Sequence, residues 1–209
     1  MYAQPAFQET RQEVLLAAIR DIQLGAFVSP AVEGLEITHA PVAVREHGNQ
    51  IFLETHLARA NSHWKAIGEG MRSAAIFQGP QAYVSPSWYP SKAAHGKVVP
   101  TWVYIAVHAH GVLEAVHDAE WLRAHLDALT ATREASRAAP WEVSDAPERF
   151  IAGLSRGIVG LRLTVDRLEG SWKINQNKPD ADREGTAEGL RTSGAEGAAL
   201  ADALAKRMS

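Results

Sequence analysis

In "IVGLRLTVDRLEGSWKIN", residues 158–175, Val159, Leu161, Leu163 and Val165 alternate with polar or small neighbours. A period of two puts all four on one face of a strand, and that face must be buried against something. Glu169-Gly170 reads as a turn, so the segment predicts a hairpin with Trp172 and Ile174 continuing the buried face. The same reading makes strands of "LGAFVS", "LEITHA", "NQIFLET" and "RSAAIFQG", with turns at Glu33-Gly34 and Gly48-Asn49, and two strands of "TWVYIAVHAHGVLEAVHD". Helical spacing is confined to a few places. Val14, Leu15, Ala18, Ile19 and Ile22 share a face after Thr10, and Asp118 caps "AEWLRAHLDALTATREA". "HLARANSHWKAIGEG" reads as a short helix closed by glycine, and "AALADALAKRM" as a last one. Strands following one another with helices outside predict an α+β fold built on a small β-barrel. A Gly-rich phosphate loop and an alternating βαβ pattern are both missing, which excludes a Rossmann reading.

The stretch Phe77–Tyr104, "FQGPQAYVSPSWYPSKAAHGKVVPTWVY", is the second constraint. It gathers four prolines, two tryptophans and three tyrosines. Proline fixes φ and lowers the entropy of the free segment, so these rings read as a Pro-braced loop held ready for a ligand or a partner chain. The chain has no cysteine, which excludes disulfides, thiolate nucleophiles and Cys-ligated metal. A net charge of −3 argues against a broad phosphate-binding face. No apolar run approaches the roughly 20 residues of a membrane helix, and "MYAQPAFQETRQEV" is too polar for a signal peptide, so a cytoplasmic protein is expected.

Five motifs carry a family resemblance: "THLARANSHWK" (55–65), "FQGPQAYVSPSWYPSK" (77–92), "VPTWVYIAVHAHG" (99–111), "PWEVSDAP" (140–147) and "SWKINQNKPDADREG" (171–185). Together they resemble the PaiB-type proteins, the FMN-binding negative transcriptional regulators, in order along nearly the whole chain. The resemblance implies a split β-barrel of the flavin-binding type with peripheral helices. It divides the chain into an FMN-binding domain over residues 1–190 and a helical tail over 191–209. It also implies a homodimer with FMN at the subunit interface. Two positions depart from the family pattern. Val103 stands where Asn is usual, and Ser171 where Lys is usual.

The same resemblance assigns the site. Arg59, at a strand-to-helix junction with the strand ending at Thr55 and the helix starting near Ala58, is expected on the phosphate through its bidentate fork. Thr55, His56 and Asn61 assist, with backbone N–H groups of the helix start. Thr38, with His39, lines the nucleotide from the neighbouring strand. Gln78, Tyr83, Ser85, Trp88, Lys92 and Trp102 supply walls and polar contacts, or equally the anchors of a dimer interface. Trp172, Lys173 and Gln176 stand behind these. His108 and His110, on one side of a strand, have metal-ligand spacing without a clear third ligand, and no metal site is assigned.

Two classes of function remain. One is a regulator that binds FMN without a classical DNA-binding motif, with direct operator binding unsupported by charge or motif. The other is a flavin-dependent oxidoreductase, or a haem-binding split-barrel protein, since fold does not fix function. No residue has a clear catalytic role.

Overall fold

The computed structural model describes residues 1–207. A two-residue strand β1 (Gln8–Glu9) leads into α1 (Gln12–Ile22), then β2 (Leu24–Ala31), β3 (Gly34–Pro41), β4 (Ala43–His47) and β5 (Gln50–Ala58). A single turn of helix, α2 (His63–Ala66), precedes β6 (Met71–Val84). The chain continues through α3 (Pro90–His95), β7 (Thr101–Val116), α4 (Ala119–Glu134), α5 (Glu148–Ser155) and β8 (Ile158–Lys173). It closes with α6 (Asp180–Arg191) and α7 (Gly194–Ala205). The hydrogen-bonded strand order is β3-β2-β6-β7-β8-β5-β4, with β1 on β8. The pairs with a resolved register, β1 with β8, β2 with β3 and β6, and β5 with β4 and β8, are all antiparallel.

Two compact units share this chain. One holds Met1–Ala18, Gln78–His108 and the residues from Glu169 on; the other holds Ile19–Phe77 and Ala109–Leu168. The long strands β6, β7 and β8 give one part to each. In the second unit the alternation reads as expected. Val159, Leu161, Leu163 and Val165 are buried, as are Leu53, Thr55 and Leu57 on β5 and Phe27 on β2. The register pairs Glu54 with Arg162 and His56 with Gly160 on the opposite face. There α4 packs. A Cβ on Gly160 would fall 2.1 Å from Trp121 Cζ3, so glycine is what lets the indole lie on the strand.

Four expectations change. β8 runs unbroken through Gly170, so no hairpin forms there. A Cβ at that position would lie 2.3 Å from Leu15 Cδ2, and the glycine answers close packing rather than a turn. β7 is one strand of 16 residues rather than two. The Pro-braced segment is not a loop. Pro86–Trp88 form a 3-10 turn and Pro90 opens α3, where a proline loses nothing because the first-turn N–H has no helical partner. Finally, β5 continues to Ala58 and α2 has four residues only, so there is no helix start near Ala58.

Candidate functional site

The predicted residues fall into two clusters, one in each unit. In the second unit, β5 delivers Thr55 and His56. Thr55 is fully buried and its hydroxyl donates to the Pro41 carbonyl at 2.7 Å, which ties β5 to the end of β3. His56 faces the other way. Its Nδ1 lies 3.1 Å from Nε2 of His125, a buried α4 histidine that stacks on Trp121 at a centroid distance of 5.2 Å. Burial lowers the pKa of both imidazoles. That of His125 falls to about 4, with His56 and Arg45 adding to the effect.

Beyond β5, Arg59 is exposed but held. Its Nε donates to the Arg156 carbonyl at 3.0 Å and its Nη2 to the Ile158 carbonyl at 2.8 Å. The guanidinium lies 5.9 Å from the Trp64 ring centroid, and Trp64 Nε1 donates back to the Arg59 carbonyl. Lys65 stands over the same ring at 5.5 Å and His117 meets its edge at 5.4 Å. Among the described residues, none bonds the Nη1 end of Arg59.

Asn61 works locally. Its Oδ1 accepts from the His63 backbone N–H at 2.9 Å, the side-chain-to-backbone bond that competes with helix and starts α2 late. Its Nδ2 donates to Thr38 Oγ1 at 3.3 Å. The imidazole of His63, fully buried, sits between Thr38 Oγ1 at 3.0 Å and Ser29 Oγ at 2.8 Å, and Ser29 in turn meets Ser73 at 2.6 Å. Thr38 and Asn61, both candidates from the sequence, are thus hydrogen-bonded to each other, an adjacency the sequence reading did not state. That reading also missed His63 as their link, because Ser29 and Ser73 are distant in sequence and serine carries no signal of its own. His39 is exposed on β3.

In the first unit, Tyr83 and Trp102 are half exposed and meet edge to face at 6.4 Å. With Trp88, Ser193, Ala195 and Glu196 they line an open groove of about 680 Å³, within the range small ligands occupy. Trp88 is fixed from behind by α6. A Cβ on Gly189 would fall 2.2 Å from its ring, and one on Gly185 would fall 2.0 Å from its carbonyl oxygen. Ser85 accepts from the Ser87 N–H at 3.2 Å as the cap of the 3-10 turn, and Lys92 Nζ reaches Ser87 Oγ at 3.3 Å. Gln78 is exposed on β6.

Tyr89, another ring of the Pro-braced stretch, is buried. Its hydroxyl accepts from Asn175 Nδ2 at 2.9 Å, and its pKa is raised by burial. Lys173 stands 5.7 Å from the Tyr104 ring, and Gln176 accepts from the Ile174 N–H at 2.9 Å and donates to the Ala6 carbonyl at 2.9 Å. Trp172 is buried under Arg207. The two departures are interior. Val103 is fully buried and Ser171 is 1% exposed, paired with Gln8 across β1 and β8. His108 and His110 lie two residues apart on β7.

A family model described as "Putative FMN-binding domain" matches residues 1–167. The chain belongs to the PaiB-type FMN-binding family. "Protease synthase and sporulation protein PAI 2" of Bacillus subtilis is 26% identical over 91% of this chain and 89% of that protein. An uncharacterized protein of Aspergillus fumigatus is 31% identical over 94% of this chain and 93% of its own length. Among solved structures, the FAD and heme binding protein from Mycobacterium smegmatis superposes with a TM-score of 0.59 at 18% identity, covering 87% of this chain and 80% of that one. A conserved hypothetical protein from Mycobacterium tuberculosis gives 0.56 at 14% identity, over 86% and 94%. These likenesses establish the α+β split-barrel fold.

The donor chemistry fits a flavin in this family member. In the second unit Arg59 offers a fixed cation for a phosphate; in the first unit, separately, Tyr83 and Trp102 offer half-exposed flat rings. Thr55 does not fit a direct contact, since its side chain has no surface and its hydroxyl is spent. The helix-start donors expected near Ala58 do not exist. No helix of the described residues is long and apolar enough to cross a membrane.

Proposed function

We propose that this protein binds FMN as a homodimer and acts as a negative regulator of transcription without contacting an operator directly. The observation that carries the flavin reading is Arg59, whose guanidinium is oriented by two carbonyls and a tryptophan face while its Nη1 end stays available. Such a group binds a phosphate without first losing side-chain freedom. Bound flavin supplies redox chemistry that no side chain of this chain offers. The protein's part is to hold it, with Arg59 at the phosphate and Lys65 adding positive potential beside it. The net charge of −3 supports regulation through a partner or small molecule rather than through a DNA-binding face.

Titrating FMN into the purified full chain, read by flavin absorbance and quenching of its fluorescence, tests the reading. Arg59→Ala is expected to weaken FMN at least tenfold, since a charge-assisted phosphate contact contributes roughly 1.5–3 kcal/mol. Arg59→Lys recovers part of the loss as a point charge without the fork. Trp102→Ala tests the aromatic cluster separately. Unchanged FMN affinity in Arg59→Ala would remove this phosphate assignment.

A further inference from the structure

The buried chain behind Thr38 has a direction, and the direction decides what Thr38 shows to a ligand. Its two ends have no choice of role. At one end Asn61 must donate through Nδ2, because its Oδ1 is fixed by the His63 N–H. At the other end Ser73 Oγ donates to the Met71 carbonyl at 3.0 Å. A serine hydroxyl has one proton, so Ser73 must accept from Ser29. Ser29, its proton spent, must accept from His63 Nε2. The neutral imidazole then has a bare Nδ1, which accepts the proton of Thr38. Running the chain the other way costs the Ser73 bond to Met71 and makes one bond fewer. Ser29, Ser73 and His63 are all buried, so water does not repay that loss.

We propose that His63, held as its Nε2–H tautomer, makes Thr38 a hydrogen-bond acceptor toward the site, so that the ligand group seated against Thr38 is a donor, such as a hydroxyl or an imide N–H, and not an anionic oxygen. Placing Thr38 at a ligand site rests on the flavin reading above. The direction of the chain does not. His63 is a positioning residue here, since it acts through Thr38. Asn61 belongs to the same frame, and phosphate recognition falls to Arg59.

Protonating His63 reverses the outcome. Both ring nitrogens then donate, Thr38 accepts from Nδ1, and its own proton turns outward. Burial lowers the His63 pKa, opposed by the Glu36 carboxylate on β3, which also accepts from Ser62 Oγ at 3.0 Å. β3 further carries the exposed His39, β2 has no titratable side chain, and beside Ser73 on β6 stands Arg72, paired with Asp166.

Nitrogen-15 NMR of the histidines in the ligand-free full chain reads the tautomer directly. An Nε2–H signature for His63 near neutral pH is expected; an Nδ1–H tautomer overturns the proposal. Sulfate, whose charge does not change in this range, is the second probe. Its perturbation of the Thr38 resonances is expected only as pH falls, in step with the His63 protonation seen in the same spectra. Equal perturbation at neutral and acid pH overturns the proposal. His63→Gln should abolish the pH dependence, and Ser29→Ala, remote from any ligand, should shift the tautomer toward Nδ1–H. The two readings fail separately. An Nε2–H tautomer in a protein that ignores FMN leaves the direction of the chain standing and sinks the flavin reading, and with it Thr38's place at a ligand site. An Nδ1–H tautomer in a protein that binds FMN does the opposite.

Discussion

Two glycines on neighbouring strands show how differently one missing methyl group is used. At Gly160 the atoms in the way belong to the Trp121 ring, which can swing. At Gly111 a Cβ would fall 1.9 Å from the Thr164 carbonyl oxygen, which is backbone and cannot. Gly160→Ala is therefore expected to cost about 1–3 kcal/mol, the usual range for overpacking, and Gly111→Ala more. Urea unfolding measures both, and a falling midpoint at constant slope identifies a loss of stability rather than a change of denatured state. Trp121 also carries Arg162 over its ring at 5.4 Å, so Gly160→Ala should disturb the Arg162–Glu54 ion pair, 3.0 Å long, before it disturbs the core side of β8.

Among the elements, α3 depends on a distant residue. Its Ser91 donates to the buried Asp182 of α6 from the backbone N–H at 3.1 Å and from Oγ at 2.5 Å. Asp182→Ala removes an N-terminal carboxylate and leaves Ser91 unpaired. A loss of about 1–2 kcal/mol is expected, with faster amide exchange over Ser91–His95, and unchanged exchange there would refute the capping role. Helix and strand signals were uneven in the sequence. β5 and β8 were legible because each alternation is local and one face is apolar, Thr55 on β5 excepted. β4 was missed because Ala43–His47 is a half-exposed edge strand whose residues owe nothing to a core. Gly170 was misread because the residue it makes room for, Leu15, lies far along the chain. The site divides the same way. Arg59 and Asn61 are candidates through motif resemblance and Thr38 through analogy with the split barrel, whereas His63's partners and the Tyr89–Asn175 bond join segments whose proximity only the fold creates.

For the molecule as a whole, acid stability has more than one origin, and His125 and Glu9 act in different pH ranges. His125 holds its pKa near 4 against an ordinary value of 6.5. Below 6.5 the unfolded chain takes up a proton that the folded chain refuses. Its contribution is thus complete above that value and lost as pH falls toward 4, by about 3 kcal/mol at most. Glu9 behaves as an acid should: Arg11 and then Arg207 hold its pKa near 2, against burial, so its contribution is complete above 4.5 and lost between there and 2. Stability measured against pH is expected to fall in two stages. His125→Phe, which keeps a ring against Trp121, should shrink the first, to which the lowered pKa values of His56 and His63 also contribute, and leave the second; an unchanged first stage would show that His125 is not among its sources. Neither unit is a continuous piece of chain. The backbone passes from one to the other four times, at residues 18, 77, 108 and 168. A gene that encodes such a protein has no place to be cut. Neither half is a contiguous cassette that one cut at each end could copy, fuse or exchange.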